Sequence, residues 1–323
     1  MGYTHFDKIS VINGLAYGVK GSEVDVMDSL GRMYLNFEPG SQFYVDGTNG
    51  ASGNDGLTWD TAVDDITAAL ALCTANKGDV IWVAPWHTET LSDAGELVFN
   101  KAGVTVIGLG SGSLRPTITL DTATDADIDI TADNTTIKNF RFEADFEDIA
   151  VCIDLDAENC TLEDCEFLDA ESGHNFVVYI DADDTDNACD GLTVRGCTAI
   201  SADTANDHFI AAAGDIDRLT IENCYVNLGV NAGEAIIEAE TGKDFTNCII
   251  RNNTLIRLNT SGALAMESDT SANSGVIADN YIGHDDSDAA DPFDVTGARL
   301  FNNYAVGVDD ASGLLLPAED DDA

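Results

Sequence analysis

The stretch Leu219-Thr220-Ile221-Glu222-Asn223-Cys224-Tyr225-Val226 decides the fold, because its pattern recurs. Residues 104–108, 135–142, 160–167, 192–199, 248–255, 275–282 and 298–305 repeat it. The central aliphatic residue marks each copy: Val106, Ile137, Leu162, Val194, Ile221, Ile250, Ile277 and Leu300. Successive markers lie 31, 25, 32, 27, 29, 27 and 23 residues apart. Repeats of this length signal stacked units. Unequal spacings mean that loops vary while the stacking element does not.

Each position around the marker has its own character. Two residues on stand Gly108, Asn139, Asp164, Gly196, Asn223, Asn252, Asp279 and Asn302. All are types that tolerate the left-handed conformation. A sharp bend between two short strands is expected there, and an asparagine-type ladder along that column. The next position reads Phe140, Cys165, Cys197, Cys224, Asn253, Asn280 and Asn303. Then come the apolar Phe142, Phe167, Ala199, Val226, Leu255, Ile282 and Ala305, as an inward column requires. Just after the marker, Lys138, Glu163, Arg195, Glu222 and Arg251 alternate in sign, as cross-strand pairs prefer.

Upstream of each marker lies a second strand with period-two alternation. It directs Ile128, Ile130, Ile153, Leu155, Ile180, Ile237, Met266, Phe293 and Val295 inward. It turns Asp127, Asp129, Asp154, Asp156, Asp181, Asp183, Glu238, Glu240, Glu267, Asp269 and Asp294 outward. The fold class that follows is all-β: a single-stranded parallel solenoid over 41–310. Thr61 to Ala75 reads as an amphipathic helix with Ala62, Ile66, Ala69, Leu70 and Cys73 on one face, closed by Gly78. It is the expected N-terminal cap, since a bare coil exposes core and unpaired backbone. Residues 1–40 lack the coil pattern and are expected to attach or oligomerise. Residues 311–323 read as an acidic tail, with Glu319 to Asp322 disordered.

Charge narrows the function. The 323 residues hold 59 acidic and 14 basic side chains, a formal net charge of -45. Little is left to neutralise phosphates, so neither nucleic acid nor an anionic membrane surface is an expected partner. No run is long and apolar enough to span a bilayer, and no secretory leader is legible at Met1. With 44% hydrophobic residues and dispersed acids the chain is expected to fold. Self-repulsion is relieved by salt, so a salty habitat is expected.

The bend column and the opening segment carry a resemblance. Phe43 to Gly47, Gly56 to Ala62 and Gly78 to Pro85 resemble the right-handed parallel β-helix, or pectate-lyase-like, superfamily. Cys73 to Ile81, Gly103 to Gly110 and Leu114 to Leu120 are similar to β-helix virion proteins of tailed phages and tailed archaeal viruses. The resemblance implies a non-enzymatic virion protein on the outer particle surface, foremost a capsid decoration or head fibre. Its implied partners are the major capsid protein and sibling subunits in a homotrimer. The alternative it implies is a tail spike or fibre that binds or depolymerises host surface polysaccharide. A sugar-binding adhesin without catalysis is a third reading.

No catalytic residue is assigned. Pectate-lyase relatives pair Ca²⁺-binding carboxylates with an Arg or Lys base. The acidic stripe supplies the first, but no basic residue interrupts it. Lys138, Arg195 and Arg251 belong to the charge ladder. Structural Ca²⁺ fits the stripe by ligand type, with no EF-hand spacing to name the ligands; no other cofactor is expected. His5, His87, His174, His208 and His284 lie apart, lack zinc spacing, and are expected in loops or at the surface. Gly108 to Gly112 reads as a turn. The eight cysteines are expected as free thiols, three of them filling one inward column. Trp59, Trp82 and Trp86 are expected to pack in the core or cap, with sugar stacking as the alternative.

Overall fold

The computed structural model describes residues 9–12, 15–20, 23–27, 33–37, 40–183, 185–203, 205–229, 235–257, 265–268, 272–284, 293–306 and 313–315. For 9–37, 284, 306 and 313–315 it describes backbone only. The chain is an all-β parallel β-solenoid, a right-handed parallel β-helix. Three long sheets form its faces, with ten, eight and ten strands. One coil illustrates the path. Ile149–Leu155 lies in the eight-stranded sheet, Thr161–Glu163 in the sheet of markers, and Glu166–Asp169 in the third sheet. We call these the acidic, marker and exit sheets.

The marker column stacks in the register read from the sequence. Val106, Ile137, Leu162, Val194, Ile221, Ile250, Ile277 and Leu300 are successive partners. Two further coils precede them, through Phe43 and Ile81. The exit column Phe142, Phe167, Ala199, Val226, Leu255, Ile282 and Ala305 is buried along its length. So are the inward residues of the acidic sheet, from Ile128 to Val295. Repeated burial at one position in every coil supplies the main stabilising term.

The bend holds in seven of eight coils. Asn139, Asp164, Gly196, Asn223, Asn252, Asp279 and Asn302 have φ between 50° and 63°. Gly108 does not adopt it. It ends a strand, and a Cβ there would lie 2.4 Å from the Asn139 carbonyl oxygen. The buried asparagine ladder also sits one residue later than expected. Asn253, Asn280 and Asn303 point inward; Asn253 Nδ2 donates to Asn280 Oδ1 and Asn280 Nδ2 to Asn303 Oδ1, both at 3.0 Å. The cysteines continue this column. Cys165, Cys197 and Cys224 thiols approach the carbonyls of Ile137, Leu162 and Val194. Asn253, Asn280 and Asn303 amides donate to those of Ile221, Ile250 and Ile277. One task recurs in six successive coils: an inward donor reaches the marker carbonyl of the preceding coil.

The expected helix of 61–75 is shorter. A 3-10 turn spans Trp59–Thr61, and α1 spans Ile66–Leu72. Between them Val63 bridges Val45, its N–H donating to Tyr44 and its carbonyl accepting from Asp46. Asp65 then caps α1 by accepting from the Ala68 N–H at 2.5 Å. Gly78 does not close the helix. Buried Asp79 accepts from Thr74 N–H and Ser41 N–H and folds the chain back. The helix buries Ile66, Ala69 and Leu70 against the first coils, as a cap should.

Within 1–40, Ile9–Ile12, Leu15–Lys20, Glu23–Met27 and Met33–Phe37 form an antiparallel meander. At the other end, Gly313–Leu315 pairs antiparallel with Asn303–Val306. That strand corrects the reading of 311–323 as wholly tail; Glu319 to Asp322 lie outside the described residues.

Candidate functional site: the acidic sheet

Alternation with a period of two puts one outward residue of each strand in a straight column. In the acidic sheet that column reads Val98, Asp129, Asp154, Asp181, Ala211, Glu238, Glu267 and Asp294. Six carboxylates therefore share one face, with neighbouring strands about 4.8 Å apart. Asp269, also expected outward, lies outside the described residues. Stacked carboxylates oppose one another's ionisation. Burial first, then Asp127 and Asp154, raises Asp129. Burial, then Asp127 and Asp183, raises Asp154. Asp181 is pushed up to about 6 by burial, then by Asp154 and Glu240, with His208 acting the other way.

Two places on this face have the geometry for chemistry. At one end, single oxygens of Asp127, Asp129 and Asp154 all lie within 4.8 Å of one another. Hard oxygen donors at that spacing suit a divalent cation such as Ca²⁺, though Asp127 also accepts from the Gly95 N–H. At the middle, Ala211 interrupts the carboxylates, and His208 on the same strand reaches Glu238, the partner of Ala211. Its Nδ1 lies 2.8 Å from the Ala235 carbonyl and 3.4 Å from Glu238, and it faces Asp181 electrostatically. The sequence reading missed this histidine as part of the acidic face. The Ala211 gap in the column was the signal available for it.

Lys138 pairs with Glu163 at 2.8 Å, and Glu222 takes both Arg195 and Arg251. A second cluster, Arg141 and Arg115 on Glu166, was not foreseen. All eight cysteines are free and buried. His87 overturns the surface expectation. It is buried, accepts the Gly47 N–H on Nδ1, and meets Glu89 through Nε2 at 2.7 Å. It is a structural clamp, because Glu89 in turn accepts from the first N–H of α1. His174 is half-buried beside Asp145 and Glu171. His5 and the side chain of His284 lie outside the described residues. Gly108 to Gly112 leads into a 3-10 turn spanning Gly112–Leu114, not a phosphate loop. The packed-tryptophan expectation fails for Trp59 and Trp86, which are 43% and 68% exposed.

One polar corner lies inside the coil. Ser201 Oγ donates to Asp169 Oδ2 at 2.5 Å, while Asp169 Oδ1 and the buried Tyr179 hydroxyl lack a protein hydrogen-bond partner. Burial pushes Asp169 up to about 6.

No family model and no curated protein matches this chain. Among solved structures it is similar in fold to a rhamnogalacturonan lyase, at 15% identity and a TM-score of 0.47 over 86% of this chain and 84% of the other. It is also similar to the pectin methylesterase from Aspergillus niger, at 14% identity and a TM-score of 0.49 over 87% and 92%. Similarity at this level is one of fold alone.

Proposed function

We propose that this protein is a non-catalytic structural solenoid that works within a symmetric assembly. In this reading it contacts a second copy of itself through the C-terminal half of its marker and exit faces. The supporting observation is the partition of charge. The outer column of the marker sheet carries Lys138, Arg195 and Arg251 against Glu163 and Glu222, and Arg299 stands in the neighbouring column. In a chain of net charge -45 this face is slightly positive. Toward its C-terminal end, Ile249, Val276 and Phe301 point outward, and Tyr225, Tyr281 and Tyr304 do so on the adjoining exit sheet. These six are 37% to 54% exposed. Together they expose roughly 500 Å² of apolar surface, at the upper end of what an ordinary monomer shows.

Two strongly anionic copies repel at long range. A stable contact between them needs a face that does not set like charges together, and this is the face that qualifies. The acidic sheet would then stay in solvent. Residues 1–40 would supply attachment, and the outer surface of a tailed-virus capsid is the setting implied by the sequence resemblance. Sedimentation velocity tests the contact. The expected result is a concentration-dependent oligomer that Val276→Glu and Phe301→Glu abolish while the circular dichroism stays unchanged. A monomer at all concentrations in molar NaCl would overturn it.

A second reading rests on His208 between Asp181 and Glu238. A histidine flanked by carboxylates has the makings of a general acid–base pair, and polysaccharide cleavage is the matching reaction class. Release of new reducing ends from a polysaccharide panel, lost in His208→Ala, would favour it. No product from any polysaccharide would remove it.

A further inference from the structure

We propose that Tyr44, Trp59 and Trp82 form a stacking platform for a neutral sugar at the N-terminal end of the marker face. Tyr44 and Trp82 are direct partners on adjacent strands, so both rings stand on the outer side about 4.8 Å apart at their bases. Trp59 comes from the 3-10 turn and meets Tyr44 with ring centroids 4.7 Å apart at 59°.

The platform is held in place. The Trp82 indole N–H donates to Gln42 Oε1 at 3.2 Å, and the Tyr44 hydroxyl reaches the same oxygen at 3.5 Å. The Trp59 turn is fixed by the Thr58 cap and by Tyr44 N–H donating to the Gly56 carbonyl at 2.8 Å. Rings that are already ordered lose little entropy when a ligand settles on them. Core packing does not account for Trp59, which is 43% exposed, while Tyr44 and Trp82 are half-buried on the outer side of their strands.

The ligand class follows from the surface. Aromatic faces bind the C–H face of a sugar ring, and the exposed Gln42 amide offers a polar edge for hydroxyls. None of these four side chains is charged, and the net charge of -45 repels an anionic glycan. A neutral hexopyranose chain therefore fits. The inference is independent of the assembly reading, since the apolar contact face lies at the other end of the solenoid.

The test uses the full chain with ¹⁵N-labelled tryptophan, whose three indole N–H signals report the three sites. Cellohexaose, maltohexaose and, as the anionic control, hexagalacturonate are titrated to about 10 mM, a range that detects millimolar affinity. The expected result is a shift of the Trp59 and Trp82 signals by a neutral hexaose but not by hexagalacturonate. Trp86 should not move. Trp59→Ala and Gln42→Ala should each weaken binding at least about tenfold, as loss of a central contact does, with an unchanged melting temperature. Silence toward both neutral hexaoses overturns the proposal. So does a shift confined to Trp86, equal binding of hexagalacturonate, or a Trp59→Ala variant that binds normally or changes only the sedimentation.

Discussion

Asn280 accepts the Asn253 N–H and one Asn253 amide hydrogen on a single oxygen, and donates to Ile250 and Asn303. Removing its side chain would orphan several buried groups at once. Each such group costs about 1–3 kcal/mol. Asn280→Ala should therefore lower stability by about 3 kcal/mol or more, read from the denaturant midpoint, whereas Cys197→Ser should be tolerated because a hydroxyl still donates to Leu162. Equal midpoints for the two variants would refute the ladder's role. Thiol chemistry gives a second check at this scale. Burial pushes Cys73 and Cys189 up to about 12 and Cys160 and Cys248 up to about 11. The native protein should resist a thiol reagent, and the denatured, unreduced protein should titrate eight thiols. A lower count would reveal disulfides. The column of bends was legible because left-handed positions admit few residue types. The identity of Asn and Cys as alternative donors was not, since it depends on a carbonyl supplied by another coil.

The acidic sheet is the element whose behaviour depends most on pH. Asp181 in its column and Asp169 in the interior corner both rise to about 6 in the folded chain, against about 3.9 when unfolded. Between those values the folded state holds protons that the unfolded state has released, so stability falls as pH rises. The benefit is fully present below about pH 4 and lost as pH passes through 6. Asp186 and Asp217, held low by Lys243 and by Asn247, act oppositely below the unfolded value. A higher denaturant midpoint at pH 5 than at pH 7.5 is expected, and Asp181→Asn should flatten the difference. A midpoint that rises with pH would contradict the burial argument. At this scale the strands were readable from alternation, and the helix was not. Ala62 fits a helical face by spacing, but its neighbour Val63 is claimed by a bridge to Val45. His208 escaped for a similar reason: its place on the face depends on Glu238 of the next coil, the partner of Ala211 on its own strand.

Across the whole molecule the excess of 45 negative charges becomes a map of faces. Carboxylates line one sheet, while scarce cations balance the marker face. Like charges stacked about 4.8 Å apart are relieved when the Debye length falls to about 3 Å at 1 M salt. The melting temperature should therefore rise from low to molar NaCl, and a flat profile would undo that link. The alternation put these charges on their columns, but the exposed apolar group of Ile249, Val276, Phe301, Tyr225, Tyr281 and Tyr304 emerges only from the outward positions of two sheets together. Those six side chains are the proposed contact surface. Hydroxyl-radical footprinting of the protein in its assembled state tests this most directly. Tyr225, Tyr281, Phe301 and Tyr304 are expected to be protected relative to the dilute protein, while Trp86 reacts equally in both. Equal reactivity of those four side chains in the assembled and dilute states would contradict it.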